Sequence, residues 1–154
     1  MKKTNYILLI TILYCLSLTT CKKKNNNQYS TWYVNSEKFS TNKVTVALGK
    51  EVARIGNDEN DYKNNFLIGF NLAYLPTAGS FPIVHRGGNL HSVSTVGIGF
   101  YYHGLFYIIS DNNDGVLVAS AANNKARYTL APTWFVNYDN SDDSVLIKGV
   151  FNEP

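Results

Sequence analysis

The stretch Phe66-Leu67-Ile68-Gly69-Phe70-Asn71-Leu72-Ala73-Tyr74 sets the fold class. Phe66, Ile68, Phe70, Leu72 and Tyr74 fall at every second position, and a period of two places them on one side of a β-strand. Val96, Ile98, Phe100 and Tyr102 repeat the pattern, and a further apolar run over residues 105–110 follows His103-Gly104. Outward from these, residues 43–48 alternate with Val44, Val46 and Leu48 on one face. Residues 116–120, 133–138 and 144–151 read as further strands, with Val145, Ile147 and Phe151 sharing a face in the last. Val44, Leu48, Val52 and Ile55 also sit at helical spacing. The β-branched content and the interruption at Gly49 favour two strands there.

The connections carry turn chemistry. Gly49-Lys50, His103-Gly104, Asp111-Asn112-Asn113-Asp114-Gly115 and residues 137–143 supply side chains that cap a turn or tolerate a positive φ. Pro76, Pro82 and Pro132 are expected at strand ends or edges, where a missing donor does least harm. Many short strands at this spacing predict an all-β fold, an antiparallel β-sandwich, with a small β-barrel as the alternative closure.

The formal net charge of +3 is unevenly placed. Lys2, Lys3, Lys22, Lys23 and Lys24 supply five of the 14 basic residues, while all 11 acidic residues lie from Glu37 onward. The chain after Lys24 thus holds nine basic against 11 acidic residues, a net of −2. A basic nucleic-acid footprint is absent from that segment. Aromatic residues make up 14% of the chain, and each offers a large area for burial.

The N-terminus has the layout of a secretory signal. Lys2 and Lys3 precede an uncharged apolar run over residues 6–18, which is shorter than the roughly 20 residues a spanning helix needs. Leu18-Thr19-Thr20-Cys21 follows. These four residues resemble the lipobox of bacterial lipoproteins, with a Leu three before the Cys. Thr20 departs from the Gly, Ala or Ser usual there. The resemblance implies cleavage before Cys21 and a lipid on it, so that Cys15 leaves with the signal and no thiol remains for a disulfide, a zinc site or a nucleophile. Residues 1–20 are then a signal-peptide helix, residues 21–29 a lipidated, disordered tether of Lys and Asn, and residues 30–154 one domain. Partnership with a membrane follows through the lipid on Cys21, with Lys22 to Lys24 placed to add attraction to anionic headgroups.

Trp32-Tyr33-Val34-Asn35, the polar segment after the lipobox Cys, and Ser144-Val145-Leu146-Ile147-Lys148-Gly149-Val150-Phe151 together resemble the small β-sandwich lipoproteins of Bacteroidota-type bacteria. The resemblance covers most of the chain after Cys21. It implies a fold and a cell-envelope location, at the outer membrane facing the periplasm or the cell surface, and no activity.

No motif calls for catalysis, a cofactor or a metal. His85 and His91 flank Arg86-Gly87-Gly88, but zinc needs three or four placed ligands, and there is no HExxH. Three acidic groups, at residues 58–61, 111–115 and 139–143, offer oxygens of the kind calcium takes but match no EF-hand loop; they read as solvated turns, with calcium at one of them as the alternative. No serine lies in a GxSxG elbow. Gly97 and Gly99 alternate within a strand, so they read as sites of close approach or bending and not as a phosphate loop. The expectation is a non-enzymatic binding or envelope-interaction module with its ligand open. The alternative is a glycan-binding accessory protein with Trp32, Trp134, Tyr101 and Tyr102 as an exposed aromatic platform; the same rings would otherwise fill the core. A glycan or an envelope protein is the expected kind of partner.

Overall fold

The computed structural model describes residues 28–57, 63–85, 92–110 and 114–154. The signal segment, the tether up to residue 27 with Cys21, the acidic residues at 58–61, His91 and residues 111–113 lie outside the described residues. Within them the fold is all-β, with eleven strands and no helix. The strands are β1 (Ser30–Val34), β2 (Glu37–Thr41), β3 (Val44–Leu48), β4 (Ala53–Asn57), β5 (Asn64–Phe70), β6 (Gly79–Val84), β7 (Val96–Tyr102), β8 (Leu105–Ile109), β9 (Val116–Ala122), β10 (Lys125–Asn137) and β11 (Ser144–Asn152).

They pair in the order β2-β1-β11-β10-β9-β6-β7-β5-β4-β3, and β8 bridges β7 and β10. Every pairing is antiparallel except one. β6 and β7 run parallel at Ile83↔Val96 and Val84↔Gly97, so the sheet is mixed and the expectation of a purely antiparallel one is corrected. The chain returns between these strands through residues 85–95, and a parallel pair needs a crossover of about that length.

The alternation read from the sequence sets the buried side. Phe66, Ile68 and Phe70 on β5 and Val96, Ile98 and Phe100 on β7 are buried. Across from them lie Trp32 of β1, Phe151 and Ile147 of β11, and Tyr128 and Phe135 of β10, also buried. The two layers meet ring to ring, in a sandwich-like arrangement. Phe66 lies 4.6 Å from Phe151 and 5.2 Å from Trp32, Phe70 lies 5.1 Å from Tyr128, and Phe100 lies 5.2 Å from Phe135. Such pairs add roughly 0.5–1.5 kcal/mol each beyond the area they bury. Gly149 lets β1 and β11 approach, since a Cβ there would meet the Trp32 Cβ at 2.7 Å.

Three departures from the sequence reading have local causes. The alternation after Phe66 ends at Phe70, because the chain bends over residues 71–74, leaving Tyr74 exposed. Pro82 sits inside β6 and not at its end. The Ile83 N–H donates to Gly115 O on the β9 side, so the Pro82 nitrogen points the other way, where pairing with β7 begins only at Ile83. Pro132 lies inside the 13-residue β10, where the register with β11 shifts between Leu130 and Thr133. The bulge absorbs the missing donor and lets one strand continue where the sequence suggested only residues 133–138. Two tight turns use left-handed residues at both central positions. His103 and Gly104 have φ of 51° and 87°, and Asn123 and Asn124 have 54° and 62°. This is the turn type whose twist suits a two-residue hairpin.

Candidate functional site

The four aromatic residues expected to form a platform do not come together. Trp32 is only 2% exposed and stacks between layers, 5.7 Å from Phe39. It is a core residue, and its place in a binding surface is ruled out by burial. Trp134 is 52% exposed, on the outer side of β10 opposite Leu146. Tyr102 turns toward β2, where its hydroxyl donates to Glu37 Oε2 at 3.1 Å; burial first, then this carboxylate, pushes its phenol up. Tyr102 also stacks on His103, whose Nε2 lies 3.5 Å from the same carboxylate. Tyr101, one residue earlier, faces the opposite side of β7, and it alone lines the surface described next.

That surface is the outer face of β3, β4, β5, β7 and β8. Side chains alternate across a strand, so the residues between the core positions point outward: Arg54 and Gly56 of β4, Asn65, Leu67 and Gly69 of β5, Gly97, Gly99 and Tyr101 of β7, and Phe106 of β8. Three adjoining depressions lie there, of about 110, 240 and 610 Å³. Phe106 lines all three. The first has Leu67, Gly69, Gly97 and Gly99 as its floor and Arg54 on its wall. The second runs toward β3 past Thr45, Ala47 and Asn65. The third opens between Tyr101, His85, Tyr138 and Asp139. Together they form one groove.

Local pairing builds the centre of it. The His103-Gly104 turn sets Tyr101 opposite Phe106 and Gly99 opposite Ile108. Phe106 then leans diagonally over Gly99, where a Cβ would meet its ring at 2.6 Å. Only glycine leaves the ring that space. Leu67 faces Gly99, and Gly69 faces Gly97, from β5. A row of rings continues from this point. Tyr101 is 4.9 Å from Phe106, Phe106 is 6.3 Å from Tyr138, and Tyr138 stacks 6.5 Å from His85 at an interplanar angle of 14°. The Tyr138 N–H donates to Phe106 O at 2.8 Å, which fixes the end of β10 against β8.

The rim is polar and nearly neutral. The Thr45 hydroxyl donates to Gly56 O at 3.2 Å. Asn57 clamps the β4–β5 end, donating to Asn64 O and accepting from the Phe66 N–H. Among the described residues Arg54 is the one charged side chain lining the first two depressions, and it has no carboxylate partner there. Asp139 is the one described residue that adds a formal negative charge, at the far end. Among the described residues no three His, Cys, Asp or Glu side chains gather into a metal-ligand cluster.

Sequence reasoning found Tyr101 and missed Phe106, Leu67, Arg54 and Tyr138. The available signal was Gly69, Gly97 and Gly99 at outward positions of otherwise apolar strands, together with a two-residue turn that puts Phe106 beside Gly99. Comparison with known proteins gives no match to a family model, a curated protein or a solved structure, so the groove is interpreted from its own residues.

Proposed function

We propose that the protein is a non-enzymatic binding module of the cell envelope, anchored by a lipid on Cys21, and that the groove centred on Phe106 is its ligand-contacting surface. The observation that carries this is the groove itself: partly exposed rings beside a glycine floor, with a few polar side chains among them. Ligand sites are built this way, with apolar walls for area and a few polar groups for orientation. The lipobox Leu18-Thr19-Thr20-Cys21 supports the anchor. Two or more acyl chains on Cys21 would hold the domain at a membrane, since each buried methylene contributes about 0.8 kcal/mol.

Metabolic labelling with a palmitate analogue tests the anchor: wild type takes the label and Cys21→Ser does not. Equal labelling of both would remove the lipid from the reading. For the groove, the protein in detergent micelles is titrated with a soluble envelope-glycan and peptide fraction while aromatic resonances are followed. Shifts are expected at Tyr101, Phe106 and Tyr138 and not at the core ring of Trp32. Shifts confined to Trp134, or none at saturating fraction, would place the binding surface elsewhere.

A further inference from the structure

Resting on that reading, we infer that the groove takes an acidic glycan, with the sugar rings lying along the row Tyr101, Phe106 and Tyr138 and a carboxylate of the glycan held by Arg54.

Three features lead there. First, every strand under the groove centre is paired on both sides: β4 with β3 and β5, β5 with β4 and β7, and β8 with β7 and β10. The groove crosses a sheet face, and the backbone donors and acceptors beneath it are already used in ladders. An extended peptide that binds by adding a strand needs a free sheet edge. A ligand here must bond to side chains. Second, those side chains are rings flanked by an amide and a hydroxyl at the rim, Asn71 and Thr45, with the buried Asn65 in the wall. Rings 4.9 and 6.3 Å apart, tilted by 39° and 56° to one another, give a run of stepped apolar faces. A pyranose has an apolar C–H face to lay on that surface and hydroxyls around its edge to meet the amides. Third, Arg54 is the one charged side chain among the described residues that line the first two depressions. The Arg54 side-chain stem lies against Gly69, its Cγ 3.8 Å from where a Cβ at that position would sit. This lays the side-chain stem along the wall beside that floor, with no acidic partner among the described residues, and a planar carboxylate is the natural complement to its fork of donors.

The test uses the full-length protein in detergent micelles and calorimetric binding to three acidic oligosaccharides: oligogalacturonate, oligoguluronate and oligosialate. Each is paired with its carboxyl-reduced form, and oligoglutamate stands as the acidic peptide. At least one acidic oligosaccharide should bind, and its reduced form should bind about tenfold more weakly or worse, the scale of one charge-assisted hydrogen-bonded contact. Arg54→Gln, an exposed change, should erase that gap. Gly69→Val, which fills the floor with a strand-favouring residue, should abolish binding while the thermal melt stays cooperative. No binding by any acidic oligosaccharide at millimolar concentration would overturn the inference, as would equal binding of the reduced forms or of oligoglutamate. The two levels separate cleanly. Binding that survives both Gly69→Val and Tyr101→Ala removes the groove itself, whereas binding lost in those variants but indifferent to charge removes only the acidic class.

Discussion

The inner and outer faces of β5 and β7 are made by the same residues taken alternately, and they are unlike surfaces. Inward stand Phe66, Ile68, Phe70, Val96, Ile98 and Phe100, all buried against rings from β1, β10 and β11. Outward stand Asn65, Leu67, Gly69, Gly97, Gly99 and Tyr101. A sheet whose outer face met only water would present polar residues at those positions. Here three of the six are glycines, and glycine in a strand interior weakens the strand and packs nothing. The comparison teaches that the outer face is shaped by something other than the demands of folding. The inner face is filled for stability, and the outer face is left hollow around one ring.

The largest effect that can test this contrast is on the inner side. Phe151 is fully buried, 4.6 Å from Phe66 and 5.9 Å from Phe100. Phe151→Ala is expected to cost about 3–5 kcal/mol through lost burial and the cavity left behind. Phe106→Ala on the outer side should cost only about 1 kcal/mol, because its ring is half-exposed. Denaturant unfolding of both variants measures the difference. If Phe106→Ala destabilises as much as Phe151→Ala, then Phe106 is a core residue and the two faces are alike.

A smaller effect sharpens the inner face, which holds two phenols in unequal settings. The Tyr107 hydroxyl donates to Asp143 Oδ2 at 2.8 Å, and Asn137 Nδ2 donates to the same oxygen at 3.1 Å. The buried Tyr128 hydroxyl has no hydrogen-bond partner among the described residues. Tyr107→Phe should therefore cost about 1 kcal/mol, and Tyr128→Phe should be close to neutral, since it removes a polar group left unpaired. Burial, followed by the Asp143 contact, pushes the Tyr107 phenol from 10.0 up to about 12. The unfolded chain then loses this proton first as pH rises. The corresponding stability is complete below pH 10 and lost as pH climbs through about 12. Alkaline unfolding curves should fall less steeply over that window in Tyr107→Phe than in wild type; identical slopes would mean the phenol does not govern it.

How much of this was legible in the sequence follows from how local each feature is. The strands β3, β5, β7 and β11 announced themselves by alternation, and Val145, Ile147 and Phe151 do share a buried face. Gly49 does separate two strands where helical spacing competed. β6 was not legible, because Pro82 argues against a strand until one knows that its nitrogen faces an unpaired side. The parallel β6–β7 pair, and the pairing of β5 with β7 in place of β6, are set by contacts across distant parts of the chain, which periodicity does not encode. The same division runs through the groove. Phe106 over Gly99 follows from one hairpin and was within reach of the sequence. Arg54 and Leu67 join it only through the β4–β5–β7 order and were not.

The long strand β10 gives the molecule a direction. Its first residue lies where the described chain begins and ends: Gln28 Nε2 donates to Ala122 O across the β9–β10 turn, Lys125 Nζ contacts Pro154 O, and Asn152 Nδ2 donates to Tyr29 O. Its last residue, Asn137, precedes Tyr138 at the open end of the ring row. The strand is thirteen residues long, roughly 40 Å of contour if extended. Both ends of the described chain thus lie beside the start of β10, while the Tyr138 end of the groove lies beside its finish. Whatever is joined to either end, whether an acyl chain, a surface support or a fusion partner, acts as a handle and leaves the Tyr138 end unobstructed.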